Sequence, residues 1–298
     1  MLFANLIFEE CNLSSGEGSA GIIEVEECTS GRIRGAVRLH HVNFNGNQMN
    51  SSVAVSMNTE TCSSLEMIDV QFDSNNCIGI CGAILSTETV LRNVRLQENT
   101  QTGQTSGIPA LLYGPPDSQI SAEEIAASNN DGAVMFVEDG QLGITDASFV
   151  QNEVDSAENG DPVSASIHLI NSVATIRRCE FEENSAISGA ALYAVGSTVT
   201  LRNSNFEGNS GTDGGAAVYL LNCDDVNVRD CSFTRNSVPT LDGAGILSNN
   251  TESLTVRRST FSENSAGTGA GLYALNGSTS VRDCTFQDRK STRLNSSH

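Results

Sequence analysis

One pattern is written repeatedly along this chain, and it constrains the fold more than any other feature. From Val199 it reads Val-Thr-Leu-Arg-Asn-Ser-Asn-Phe-Glu-Gly-Asn, followed by Gly215-Ala216-Ala217-Val218-Tyr219. It returns at Val226 with Phe233, Asn236 and Gly243 to Leu247, and at Leu254 with Phe261, Asn264 and Gly269 to Tyr273. The anchor of each unit is Phe, or an aliphatic stand-in, with Asn three residues later. Anchors read at Phe8, Phe44, Phe72, Leu96, Ile125, Phe149, Phe181, Phe206, Phe233, Phe261 and Phe286, about 28 residues apart on average. The Asn follows at Asn47, Asn75, Asn99, Asn152, Asn184, Asn209, Asn236 and Asn264. Cys11 stands in its place after Phe8, and Ser128 precedes Asn129 after Ile125, the weakest unit.

Within a unit, apolar residues fall seven and five positions before the anchor, as in Val199 and Leu201 or Val226 and Val228. A small or apolar residue falls two before it, as at Val70, Cys179, Ser204 and Cys231. Such period-two alternation marks a strand with one buried face. The buried face switches once, between the fourth and second residues before the anchor, which requires a bend. A third short apolar strand follows the Gly-rich segment. Three short strands in a unit this short, without helices, close as one coil of a right-handed parallel β-helix. The fold class expected is therefore all-β, a solenoid of about ten coils of three short strands. At ~4.8 Å per coil the rod is on the order of 50 Å long. No coil can bury its apolar face alone, so stacking supplies the core and equal residues form ladders. The turn Asn suits this arrangement: it tolerates left-handed backbone, and its amide can bond to the neighbouring turn. Propeller blades of about 40–45 residues are too long for this period.

The formal net charge is −20, and the only Lys is Lys290. No basic stripe outweighs the acids, which argues against a nucleic-acid partner. No stretch approaches the ~20 apolar residues of a membrane span. Of nine Cys, Cys179, Cys231 and Cys284 share one inward position two coils apart, about 10 Å. That is too far for a disulfide, and they read as buried free thiols. Cys77 and Cys81 share a turn, and Cys28 and Cys62 lie in loops of neighbouring coils, so loop disulfides are open there. No His joins them as a metal site would require, and no metal or other cofactor is expected.

Residues 1–288 read as a single β-helix domain, with acidic or Pro-bearing insertions at 9–36, 100–131 and 150–163. Met1 falls inside a coil, with no signal peptide and no cap before it, so truncation at both ends is expected. The tail 289–298 shares nothing with the coils. It is similar to a translated adaptor sequence and reads as non-native.

Two outward columns are candidate binding sites. On the third strand one column reads Leu85, Tyr113, Phe136, His168, Tyr193, Tyr219, Leu247 and Tyr273, holding all four Tyr of the chain. Its rings can stack on sugars or on a partner, or simply on one another to stabilise the rod. Four residues before the anchor, Arg92 is followed later by Arg177, Arg202, Arg229, Arg257 and Arg282 in consecutive coils. Guanidinium forks in a row suit a carboxylate- or sulphate-bearing polysaccharide. The other reading is a screened surface ladder, with Asp230, Asp283, Glu182 and Glu207 as neutralising partners. No catalytic residues are assigned. Glycoside hydrolysis needs two carboxylates facing one bond, and Asp224-Asp225 is the only adjacent Asp pair, with no partner in the repeat frame.

The alternation of Phe-x-x-Asn with Gly-Ala-x-aliphatic is clearest in Phe181-Glu182-Glu183-Asn184 with Gly189-Ala190-Ala191-Leu192. It resembles the repeat of the chlamydial polymorphic outer membrane proteins over most of residues 36–286. The resemblance implies a β-helix of the pectin-lyase-like superfamily displayed outside a cell, often for adhesion. The expectation is thus a non-catalytic, secreted or cell-surface repeat region that binds a glycan or a host or neighbour surface protein through a ladder face. A fragment of a polysaccharide lyase or hydrolase, and a passive spacer stalk, are the alternatives.

Overall fold

The unit around Phe206 shows how a coil is made. Its first strand is Thr198–Arg202, its second Asn205–Glu207, and its third Val218–Leu221, after which Asp225–Arg229 begins the next coil. Each strand pairs in parallel with its counterpart one coil earlier and one coil later. The computed structural model describes residues 1–9, 12–13, 22–25, 35–49, 54–57, 62–77, 80–101, 110–154, 166–239 and 241–287, and among these every named element is a strand. The arrangement is a parallel β-solenoid.

Three single-residue corners turn a coil such as the one around Phe233. In the Asp225–Arg229 coil they are Asn222, Asp230 and Arg235, all with φ between +51° and +57°. One left-handed residue redirects the strand without adding length. It costs roughly 1–2 kcal/mol for a non-Gly residue, a cost offset by the continuous ladder on both sides. The corner after Arg229 is the bend that the switch of buried face requires.

The anchor residues stack inside. Phe149, Phe181, Phe206, Phe233, Phe261 and Phe286 lie with ring centroids 4.7–4.9 Å apart and planes within 5°. Phe44 and Phe72 stack likewise at 4.9 Å. The aliphatic residues of the first strand, such as Val199, Leu201, Val226 and Val228, complete a continuous core along the rod.

The turn Asn residues form a second inner ladder from Asn47 to Asn264. Asn184 donates from its backbone N–H and from Nδ2 to Asn209 Oδ1, at 3.2 and 3.0 Å. Asn209 does the same to Asn236 at 3.0 Å, and also donates from Nδ2 to Phe181 O at 3.0 Å. Two details differ from the sequence reading. The left-handed residue is not the Asn but the residue before it, such as Gly208, Arg235 or Glu263. That position points outward, which leaves the Asn amide facing in. In the weakest unit the anchor is Ala127, not Ile125. Ala127 pairs with Leu96 and Phe149, while Ile125 pairs with Val94. Asn130, three after Ala127, then takes the ladder position, donating to Asn152 Oδ1 at 2.8 Å. The anchor position of that coil holds no Phe, so periodicity alone misplaced it by two residues.

Cys77 and Cys81 form a disulfide, and Cys62 is disulfide-bonded too. Cys28 lies outside the described residues, as does the tail 289–298. Cys179, Cys231 and Cys284 are free thiols, as is Cys223. Burial pushes the thiols of Cys179 and Cys231 up to about 11, so they are inert fillers of the inner face.

Candidate functional site

The third strand carries its aromatic column in register. Tyr113, Phe136, His168, Tyr193, Tyr219, Leu247 and Tyr273 follow one another through the parallel pairings. The rings touch edge to face: Phe136–His168 at 4.8 Å, His168–Tyr193 at 4.9 Å and Tyr193–Tyr219 at 5.2 Å between centroids. The column is not, however, an open surface. Phe136, His168, Tyr193 and Leu247 are all buried. Leu85, expected in this column, is not in it: Ile84 pairs with Tyr113, and Leu85 lies in the core. Tyr113, Tyr219 and Tyr273 keep part of their surface.

From Tyr193 to Tyr273 the segment between the Asn ladder and the third strand runs close against this column, and glycine permits the approach. Gly215 has φ +55°, and a Cβ there would lie 2.8 Å from Tyr219 Cβ. At Gly269 (φ +56°) the equivalent contact with Tyr273 Cβ is 2.9 Å. The Gly of the Gly-Ala-x-aliphatic motif is therefore a requirement of this overlay. Small residues beneath it form their own clusters, Ala133, Val154, Ala186 and Ala190 in one, Ala216, Val238 and Ala244 in the other.

His168 lies in the buried stretch of the column. Burial without a charge partner pushes its imidazole down to about 4, and Nδ1 has no hydrogen-bond partner. The unfolded chain binds a proton near 6.5, so it binds more protons than the folded one between those values. Stability is then expected to fall as pH drops from about 6.5 to 4, by about 3 kcal/mol in total. His168→Phe keeps a ring in the stack and should flatten this part of a pH series of denaturation midpoints. An unchanged slope in the variant would count against the assignment.

The arginine column has the opposite character. Arg177, Arg202, Arg229, Arg257 and Arg282 occupy one register position on five consecutive first strands. All five are exposed or half-exposed. Arg92 stands apart on an earlier coil, where Nε lies 3.5 Å from Glu123 Oε2. The expected neutralising partners serve only partly. Arg229 Nε reaches Asp230 Oδ2 at 3.2 Å, but Glu207 pairs with Arg235 instead. Among the described residues, Arg177, Arg202, Arg257 and Arg282 make no ion pair, nor do Glu182 and Asp283.

The bend column beside it was not singled out from sequence. Arg178 clasps Asp146 with two 2.7 Å bonds, and Arg258 clasps Asp230 with two more. These guanidinium groups hold both carboxyls below the usual range. The signal was available, because three residues before the anchor the chain reads His41, Asp69, Asn93, Asp146, Arg178, Asn203, Asp230 and Arg258. An all-polar column rich in Asn and Asp is what a left-handed corner selects. Flanking the arginine column are polar columns, Thr175, Thr200, Asn227, Thr255 and Ser280 on one side, and Glu180, Asn205, Ser232, Thr260 and Thr285 across the bend, uncharged except for Glu180.

The family model for the right-handed beta helix region matches residues 127–290, more than half of the chain. The chain belongs to the right-handed β-helix family. No curated protein matches the sequence of this β-helix significantly. Among solved structures it is similar to HetL, a pentapeptide repeat protein of the cyanobacterium Nostoc sp., with 12% identity, 93% of this chain and 88% of that chain covered, and a TM-score of 0.27. It is also similar to PfbA, a surface protein and adhesin of Streptococcus pneumoniae, with 8% identity, 96% and 80% coverage, and a TM-score of 0.22. Likenesses this distant carry no functional argument.

Proposed function

We propose that this β-helix is a non-catalytic binding module, secreted or displayed at a cell surface, that holds a linear carboxylate- or sulphate-bearing polysaccharide along its arginine face. The observation that carries this reading is the column Arg177 to Arg282, in register on five rungs and largely free of ion pairs. Like charges about 4.8 Å apart repel one another, so the face gains when an anionic chain lies along it. Guanidinium forks pair with carboxylate or sulphate groups, while the Thr, Ser and Asn columns on either side can bond sugar hydroxyls. The strands fix the spacing of the backbone positions that carry these groups, while ordering each arginine side chain costs about 0.5–1.5 kcal/mol on binding. The disulfide of Cys77 and Cys81 suits an oxidising compartment.

A heparin column and a polygalacturonate gel provide the test, run with the parent and with Arg202→Ser/Arg229→Ser/Arg257→Ser. The parent should be retained at low salt and released as salt rises, since exposed ion pairs are screened. The triple variant should bind roughly tenfold more weakly or worse, with an unchanged or slightly raised melting temperature. A parent that passes both matrices unretained at low salt would overturn the proposal.

A further inference from the structure

Charge on the first-strand face is arranged by strand end. Eight strands, from the one that opens with Glu88 to the one that holds Arg282, present three outward columns there. The middle column runs from Val90 through Ser121, Gly143 and Thr200 to Ser280 and carries no charge. The column at the strand ends is the arginine column, with Arg92 on its earliest coil. The column at the strand starts holds Glu88 and Asp225, and the exposed Glu252 sits in the bulge beside Ser253. Acid and arginine therefore stand at opposite ends of one strand in three coils: Glu88 with Arg92, Asp225 with Arg229, and Glu252 with Arg257.

This arrangement is complementary to itself. Of the two two-fold axes in the plane of the face, the one across the rod lays arginine on arginine, which repels. The axis parallel to the rod, above the middle column, reverses the strands and keeps the coils level. Each strand start then faces the strand end of the same coil in the second copy. Glu88 meets Arg92, Asp225 meets Arg229, Glu252 meets Arg257, and Gln119 offers its amide to Glu123. No coil opposes like charges. Arg229 keeps its Nε bond to Asp230 and has further N–H groups to give. Val173, 52% exposed, meets the aliphatic stem of Arg177. Residues of the middle column meet their own copies, where any charge would repel itself, and that column is uncharged along this length. On the two coils before it the same position holds Glu66 and Arg38, which sets the edge of the face at Val90. Eight coils at ~4.8 Å by five residues at ~3.3 Å make roughly 650 Å² on each copy, ~1,300 Å² in the pair, the size of a standard specific interface.

We propose that the chain pairs with a second copy of itself through this face, as two parallel rods related by a two-fold axis along their length. The pairing does not rest on the polysaccharide reading. It buries the arginine column, so a second copy and an anionic polysaccharide exclude one another there. The net charge of −20 opposes contact at low salt. At physiological ionic strength the Debye length is ~8 Å, which screens charge away from the contact far more than pairs buried within it.

Sedimentation equilibrium of the whole chain over roughly 1–200 µM in ~0.15 M salt should show a reversible dimer. Thr200→Arg/Thr255→Arg puts cations on the axis, each against its own copy. It should weaken pairing roughly tenfold or more, with retention on heparin kept or increased. Asp225→Arg sets arginine against Arg229 and should weaken pairing as well. The charge swap Asp225→Arg/Arg229→Asp opposes unlike charges again and should recover most of that loss. A chain that stays monomeric over the whole range overturns the proposal; if it is still retained on heparin, the polysaccharide reading stands without it. A dimer that survives Thr200→Arg/Thr255→Arg undiminished, or that the charge swap leaves as weak as Asp225→Arg alone, also overturns it.

Discussion

Replacing Phe206 by Ala is expected to lower the unfolding free energy by about 5 kcal/mol. The ring is completely buried, and it is stacked on Phe181 at 4.8 Å and on Phe233 at 4.7 Å. Removing a buried Phe costs about 3–5 kcal/mol in transfer and cavity terms, and each lost ring pair adds about 0.5–1.5 kcal/mol. The backbone ladder holds the coils at fixed spacing, so neighbours cannot collapse into the gap. Because coils touch only their neighbours, the damage should be local in hydrogen exchange. Protection should fall around Phe181, Phe206 and Phe233 and persist around Phe44 and Phe72. Chemical denaturation supplies the magnitude, and a loss below about 2 kcal/mol would contradict a rigidly held stack.

Asn209→Ala should cost nearly as much, about 4 kcal/mol, although the residue is polar. Its side chain is fully buried and serves both neighbouring turns. Oδ1 accepts from the backbone and side chain of Asn184, while Nδ2 donates to Asn236 Oδ1 and Phe181 O. Alanine leaves these buried groups short of partners, at about 1–3 kcal/mol for each group left unsatisfied. The double variant Asn209→Ala/Asn236→Ala should cost less than the sum of the single changes, since the two share a bond. Strict additivity in a denaturation cycle would show that the amides act separately.

Much of the architecture was legible in the chain. Val199 and Leu201 point in, and Arg202 points out, because side chains alternate along a strand. The same alternation placed the bend before Phe206. Arg177 to Arg282 form a column because equal positions in a repeat must superpose when coils stack. Where the repeat lost its Phe, the register was misread, and Ala127 with Asn130 could be placed only by their paired neighbours. The free thiols of Cys179 and Cys231 followed from the distance between alternate coils.

The outward columns were a different matter. Phe136, His168 and Tyr193 occupy the same kind of position as Arg202, one residue out from the core, yet they are covered and Arg202 is not. Where a neighbouring segment comes close against this column, at Tyr193, Tyr219 and Leu247, it carries no period-two signal of its own, only Gly and Ala at Gly189-Ala190, Gly215-Ala216 and Gly243-Ala244. The direction of a side chain is set by its own strand, through local stereochemistry that repeats with the sequence. Whether water reaches that side chain is set by the path of another segment. That path depends on how closely two backbones approach, which only the assembled coils decide.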